Sequence, residues 1–194
     1  TYKGKRITVL STGIGTGNID IVLNELDALV NIDLEKRTLK EHPKSLKIIR
    51  IGTSGSLQSN IPVDSFVIST HALDLNGMLH FYKIDGITNP LLEEAFINHT
   101  QWSSNKAKPI VIKNSNKLEK LFESKQTFKG MTATKGGFYG PQGRVLRLAI
   151  EDPYLNNKMD SFNYNEIRIS NLEMETSAIY GLSKYVFCHN LCFI

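Results

Sequence analysis

Cysteine is almost missing from this chain. Its 194 residues contain two, Cys188 and Cys192, with His189 between them. CHNLC alone supplies too few ligands for a zinc site, and His42, His71 and His80 stand at no ligand spacing, so no metal is expected and both thiols read as buried and reduced. Long apolar runs are also missing: no stretch of about 18 uncharged apolar residues occurs, which argues against a membrane-spanning helix. Charge of one sign is not in large excess. With 23 basic and 19 acidic residues the net charge is +4, enough to favour a small anionic ligand and too little for a nucleic-acid partner. KSLKIIR and KLEKLFESK therefore read as solvated faces of a strand and a helix. One sequon, Asn98-His99-Thr100, occurs without a secretory pattern, so a cytoplasmic protein is expected.

What is present alternates between two periods. RITVLST (6–12) is a short β-branched run, GIGTGN follows, and in IDIVLNELDALV the apolar Ile19, Val22, Leu23, Leu26 and Val30 recur at helical spacing. LKIIRIGTSG (46–55) repeats the pattern of a buried run ending in glycines. Further strands are expected at SFVISTHAL, KPIVIKN, TFKGMTAT and RISNLEM, and helices at PLLEEAFINH, KLEKLFES and ETSAIYGLSKYV. Strands alternating with helices predict an α/β domain with a central mixed sheet flanked by helices, in which ligands gather at the carboxyl ends of strands. No repeat or linker divides the chain. TYKGKRITVLST reaches a core strand within a few residues and NLCFI stops on an apolar run, so residues 1–194 read as a single domain incomplete at both ends.

Four polar or glycine-rich clusters follow the expected strands. STGIGTGN lacks the dinucleotide fingerprint, its glycines being spaced G-x-G-x-G, and reads as a tight turn whose amides face a ligand or merely close the turn. RIGTSGS is no nucleophile elbow, since Ser54 is followed at once by Gly55. It does offer Arg50, whose planar fork of donors suits phosphate oxygens or a core carboxylate, and Thr53 in a glycine-flanked turn. In GGFYGPQGR a turn explains the glycines but not Phe138, Gln142 and Arg144. An amide that donates and accepts beside a guanidinium that only donates matches the imide edge of a uracil, and Phe138 can stack on such a ring. NLEMETSAIYG sets Glu173 and Glu175 ahead of an apolar helix, where an acid serves either as a cap or as a ligand.

In this order and spacing STGIG, RIGTSGS, FYGPQGR and NLEMET resemble the nucleoside phosphorylase family, and the last two most resemble its uridine phosphorylase branch. The resemblance implies reversible phosphorolysis of uridine to uracil and ribose 1-phosphate. Inorganic phosphate would be the co-substrate, with no cofactor, and the protein would be a homo-oligomer, at least a dimer with shared active sites. It implies phosphate binding by Arg50 and Thr53. Ribose would be held by Thr53, Met174, Glu175 and Glu173, with Thr12 and Ile14 alongside, and the base by Phe138, Gln142, Arg144 and Leu172. Arg50, Arg144 and Glu175 would be the catalytic residues. A purine nucleoside phosphorylase, a nucleosidase of the same fold and a non-catalytic nucleoside-binding protein stay open as alternatives.

Overall fold

A computed structural model describes residues 1–185 and 189–193. The first helix, α1 (Thr16–Asn31), leaves the glycine turn directly and buries Ile19 and Leu23 while Ile21 and Leu29 face solvent. A two-stranded ribbon, β1 (Ile32–Asp33) with β2 (Thr38–Leu39), follows it. Next come β3 (Lys47–Ile51), β4 (Gly55–Ser56) and β5 (Phe66–Asp74), then a 3₁₀ turn at Met78–Phe81 and α2 (Pro90–Thr100). Asn89 caps α2 by accepting from the Leu92 N–H, and Pro90 opens its first turn, where no donor is needed. Then follow β6 (Ile110–Lys113), α3 (Asn116–Phe122), β7 (Thr127–Thr134), a 3₁₀ turn at Gly140–Gln142 and α4 (Leu155–Ser161). The described residues end with β8 (Asn163–Tyr164), β9 (Ile167–Glu173), α5 (Thr176–Tyr185) and β10 (His189–Phe193).

Among the described residues eight strands form one mixed sheet in the order β3-β10-β5-β7-β9-β4, with β6 on β5 and β8 on β9. Strands β5, β7 and β9 run parallel, so their carboxyl ends open on one side. Alternation along a strand divides the core in two. Ala72, Ile110 and Ile112 point into a cluster with Ile19, Leu79 and Tyr180 under α1 and α5. Their neighbours Leu73 and Val111 point the other way, into Phe96, Met131, Met159 and Phe162 under α2 and α4. Each side chain so buried contributes about 1.5–3 kcal/mol.

The strand order carries a geometric consequence. β3 and β4 lie at opposite ends of the path, yet only residues 52–54 join them. A flat six-strand sheet would separate its edges by roughly 24 Å at about 4.8 Å per strand. Residues 51 to 55 reach at most about 14 Å. The sheet therefore curls until its edges approach, and β3 is delivered to the end of β9.

Two expectations need correction. Among the described residues, 6–12 form no ladder with any strand and carry no regular secondary structure. Ile7, Val9 and Leu10 are exposed, because a β-branched run becomes a strand only beside a partner edge. LKIIRI is a strand but not a buried one: among the described residues β3 is hydrogen-bonded only to β10, and it alternates half-buried with exposed residues. Of the CHNLC motif, Cys188 lies outside the described residues. Among the described residues no group of three or more His, Cys, Asp or Glu side chains could hold a metal ion, and no helix is long and apolar enough to cross a membrane.

Candidate functional site

The two glutamates that precede α5 divide the possible tasks between them. Glu173 ends β9 almost fully buried. Its Oε2 accepts the N–H groups of Glu175 and Thr176 at 2.8 Å each, and its Oε1 accepts the Thr134 hydroxyl at 2.6 Å. Glu173 is thus the cap of the helix, satisfying donors that the first turn leaves open. Glu175 points elsewhere. Its Oε1 accepts the Gly15 N–H at 2.7 Å and its Oε2 accepts from Arg50 Nη2 at 2.5 Å, so one carboxylate ties the glycine turn, β3 and the start of α5 together.

Arg50 is the cation of this pole. Its Nη1 is buried, lies 3.6 Å from Glu173 Oε2 and, among the described residues, donates no hydrogen bond. The guanidinium folds back over Gly52, where an added Cβ would fall 2.5–2.7 Å from its atoms. Glycine at 52 is therefore a steric requirement of the arginine's pose. Burial pushes the Glu173 carboxyl above its usual value, and the Arg50 charge together with the Thr134 and backbone donors opposes that shift in part. Both structural expectations hold here, since Arg50 does pair with buried carboxylates and one of the acids does cap a helix.

A second cluster lies in the loop after β7. Arg144 Nη1 donates to Gln142 Oε1 and to the Phe138 carbonyl, each at 2.7 Å, and its Cζ sits 4.0 Å from the centre of the Phe138 ring. A guanidinium can only donate, so the Gln142 amide must turn its oxygen toward it. Among the described residues this is the one side-chain bond Gln142 makes, and the second lone pair of Oε1 and both Nε2 hydrogens stay uncommitted. A Cβ added at Gly55 would lie 3.9 Å from Arg144 Nη2, which brings the two clusters to either side of the turn bearing Thr53. That turn is anchored from below. Asn171 Nδ2 donates to Ser54 Oγ at 2.8 Å, and Asn171 is itself held by Thr132 and Ser170.

Other expected residues fall into place unevenly. Ile14 and Met174 line an open crevice of about 800 Å³ with Asn18, Asn76, Met78 and Phe81. Thr53 is exposed on the turn between Arg50 and Gly55. The half-buried Thr12 donates to the neighbouring Gly13 carbonyl at 3.3 Å. Leu172 is 6% exposed and packs into the core cluster with Leu73 and Met131. Asn76, Phe81 and Lys135 escape the sequence reading, whereas the Gly15 amide belongs to the turn whose amides were expected to face a ligand. Lys135 alone carried a usable signal, being a lysine directly between a β-branched strand and a glycine pair.

A family model described as the phosphorylase superfamily matches residues 1–185. The chain is 27% identical over 188 residues to a uridine phosphorylase of Thermococcus kodakarensis, covering 94% of this chain and 54% of that protein. It is 25% identical over 183 residues to a DeoD-type purine nucleoside phosphorylase of Streptococcus thermophilus, covering 94% and 64%. Against these two relatives, then, the chain spans between about half and two thirds of their length. A solved Trypanosoma brucei nucleoside phosphorylase, described as showing uridine phosphorylase activity, superimposes with a TM-score of 0.84 at 27% identity, covering 100% of this chain and 71% of that one. A match over nearly the whole described chain, on the fold and strand-end clusters built above, makes this protein a member of the phosphorylase superfamily.

Proposed function

We propose that the full protein catalyses the reversible phosphorolysis of uridine to uracil and ribose 1-phosphate. Arg50 and Thr53 hold the phosphate, and Arg50 Nη1 is the donor left for it. Glu175 accepts the ribose hydroxyls, with Met174, Thr12 and Ile14 beside the sugar and Glu173 behind it as the cap. Phe138 stacks on the base. Gln142 and Arg144 read its imide edge. The observation that carries the uracil assignment is the 2.7 Å bond from Arg144 to Gln142 Oε1, which orients the amide so that it offers an acceptor and donors side by side.

The chemistry follows from charge. As the glycosidic bond breaks, the sugar gains positive charge and the base negative charge, as in other glycosyl transfers. Phosphate positioned under the anomeric carbon stabilises the first and replaces a bimolecular encounter with an oriented one. Arg144 and the Gln142 amide stabilise the second by donating to the oxygen where charge collects, a contribution of about 3–4 kcal/mol per donor in comparable sites. On this reading inorganic phosphate is the co-substrate, neither metal nor organic cofactor takes part, and the protein is a cytoplasmic homo-oligomer with shared sites acting in pyrimidine salvage.

The test is direct. The full-length protein is incubated with phosphate and either uridine or inosine, and the free base released is identified. Uracil with ribose 1-phosphate supports the reading. Hypoxanthine alone would transfer the same fold to purines, and free ribose in place of its phosphate would make the acceptor water.

A further inference from the structure

The Phe138–Arg144 turn is exposed, yet its Gln142 is 6% exposed and oriented, so something beneath the turn must hold it. Two residues with no role in the reading above do so. Lys135, the residue after β7, is 3% exposed, and its main-chain N–H donates to the Glu173 carbonyl at 3.0 Å. Its Nζ donates to Asn156 Oδ1 at 3.3 Å. Asn156, in the first turn of α4, passes the connection on: its Nδ2 donates to the Gln142 carbonyl at 3.0 Å. The polarity of this relay is unambiguous, because an ammonium only donates and a carbonyl only accepts, so the Asn156 amide has one satisfying orientation. Gly143 follows with φ +79°, and a Cβ there would meet Asn156 Nδ2 at 2.5 Å, so the turn lies directly against the asparagine.

We propose that Lys135 and Asn156 are positioning residues that brace the Gln142 main chain against the sheet and thereby set how the Gln142 amide meets the nucleobase. This rests on the uridine reading for the identity of the base, while the brace itself does not. The ammonium is an expensive choice for a buried position. Among the described residues no carboxylate lies within ion-pair distance of it, and burial, followed by repulsion from Lys106, pushes Lys135 down to about 8. An apolar side chain would fill the same space at lower cost. What the ammonium adds is a donor aimed at Asn156.

The experiment compares wild-type full-length protein with Lys135→Met, Asn156→Ala and Lys135→Arg. Two quantities are read: hydrogen exchange at the amides of Gln142, Gly143 and Arg144, which close the turn onto Tyr139 and Gly140, and the separate KM values for uridine and phosphate. In the Met and Ala variants exchange at these three amides rises roughly tenfold while β7 stays protected, and the uridine KM rises roughly tenfold, the scale of one lost hydrogen bond. The phosphate KM and kcat stay within about threefold, and Lys135→Arg restores the wild-type pattern because it keeps a charged donor. Unchanged exchange in Asn156→Ala overturns the proposal. So does a parallel rise in both KM values, which marks general loosening. If Lys135→Met does not fold, Asn156→Ala decides. Loosened turn amides in a protein that cleaves inosine and not uridine sustain the brace and reject the uridine reading. Normal exchange in a protein that cleaves uridine does the reverse.

Discussion

The two clusters that meet at the Thr53 turn are built on opposite plans. Arg50, Glu173 and Glu175 stand on strand ends and a helix start, and the side chains of Arg50 and Glu175 are only 16% and 8% exposed. The Phe138–Arg144 turn projects from the sheet, with Phe138 52% exposed, Arg144 exposed and the Lys135–Asn156 brace beneath it. The first pole is tied to folding, since one guanidinium serves two carboxylates in a desolvated place. The second is separate from it, because a loop on a rigid scaffold can change the group it reads without touching the core. Each pole also holds a buried ionisable group with a shifted titration at neighbouring strand ends, and the shifts run in opposite senses: Glu173 upward and Lys135 downward, both first through desolvation.

The sharpest way to break this contrast is to remove each pole's arginine. Arg50→Ala leaves Glu175 and Glu173 buried without their cation and should cost about 3–5 kcal/mol in urea unfolding, whereas Arg144→Ala should cost under about 0.5 kcal/mol. Equal losses would erase the distinction. Activity should reverse the ranking of their effects on the base: Arg144→Ala lowers kcat on uridine about 100- to 1000-fold with the phosphate KM unchanged, while conservative Arg50→Lys raises the phosphate KM first.

Titration offers a third discriminator, of about 3 kcal/mol at most for the lysine. Lys135 moves from 10.5 to about 8 on folding, so its contribution is fully present above pH 10.5 and is lost as pH falls through about 8. Glu173 has the opposite sign. Its folded value lies above 4.5, so its contribution is present below pH 4.5 and is lost as pH rises through the raised value. Unfolding free energies of Lys135→Met and Glu173→Gln, each subtracted from wild type across pH, should therefore slope in opposite directions. The smallest effect belongs to Phe138→Ala. Loss of the 4.0 Å contact with Arg144 should remove about 0.5–1 kcal/mol, read as a few-fold rise in uridine KM at unchanged stability.

Much of the fold was legible because local pattern and long-range packing agree. The helical spacing of Ile19, Leu23 and Leu26 marks α1, and SFVISTHAL marks β5, whose successive residues Ala72 and Leu73 enter two different cores. Where they disagree, pattern misleads. RITVLST has strand composition without a strand partner among the described residues. The Lys135 brace was invisible for another reason: its partners lie 21 and 7 positions away along an irregular loop, where no period applies.

The chain alone determined the alternation of strands and helices, the glycines and polar groups at strand ends, and the pairing of an amide with a guanidinium two residues apart. These depend on neighbours in sequence, and backbone sterics and side-chain chemistry act at that range. Tertiary structure decided which glutamate caps and which faces Arg50, because that follows from the curling of the sheet that brings β3 to the end of β9 across more than a hundred residues. A contact of 2.5 Å between positions 50 and 175 has no local signature; it exists only once the sheet's two edges have been brought together.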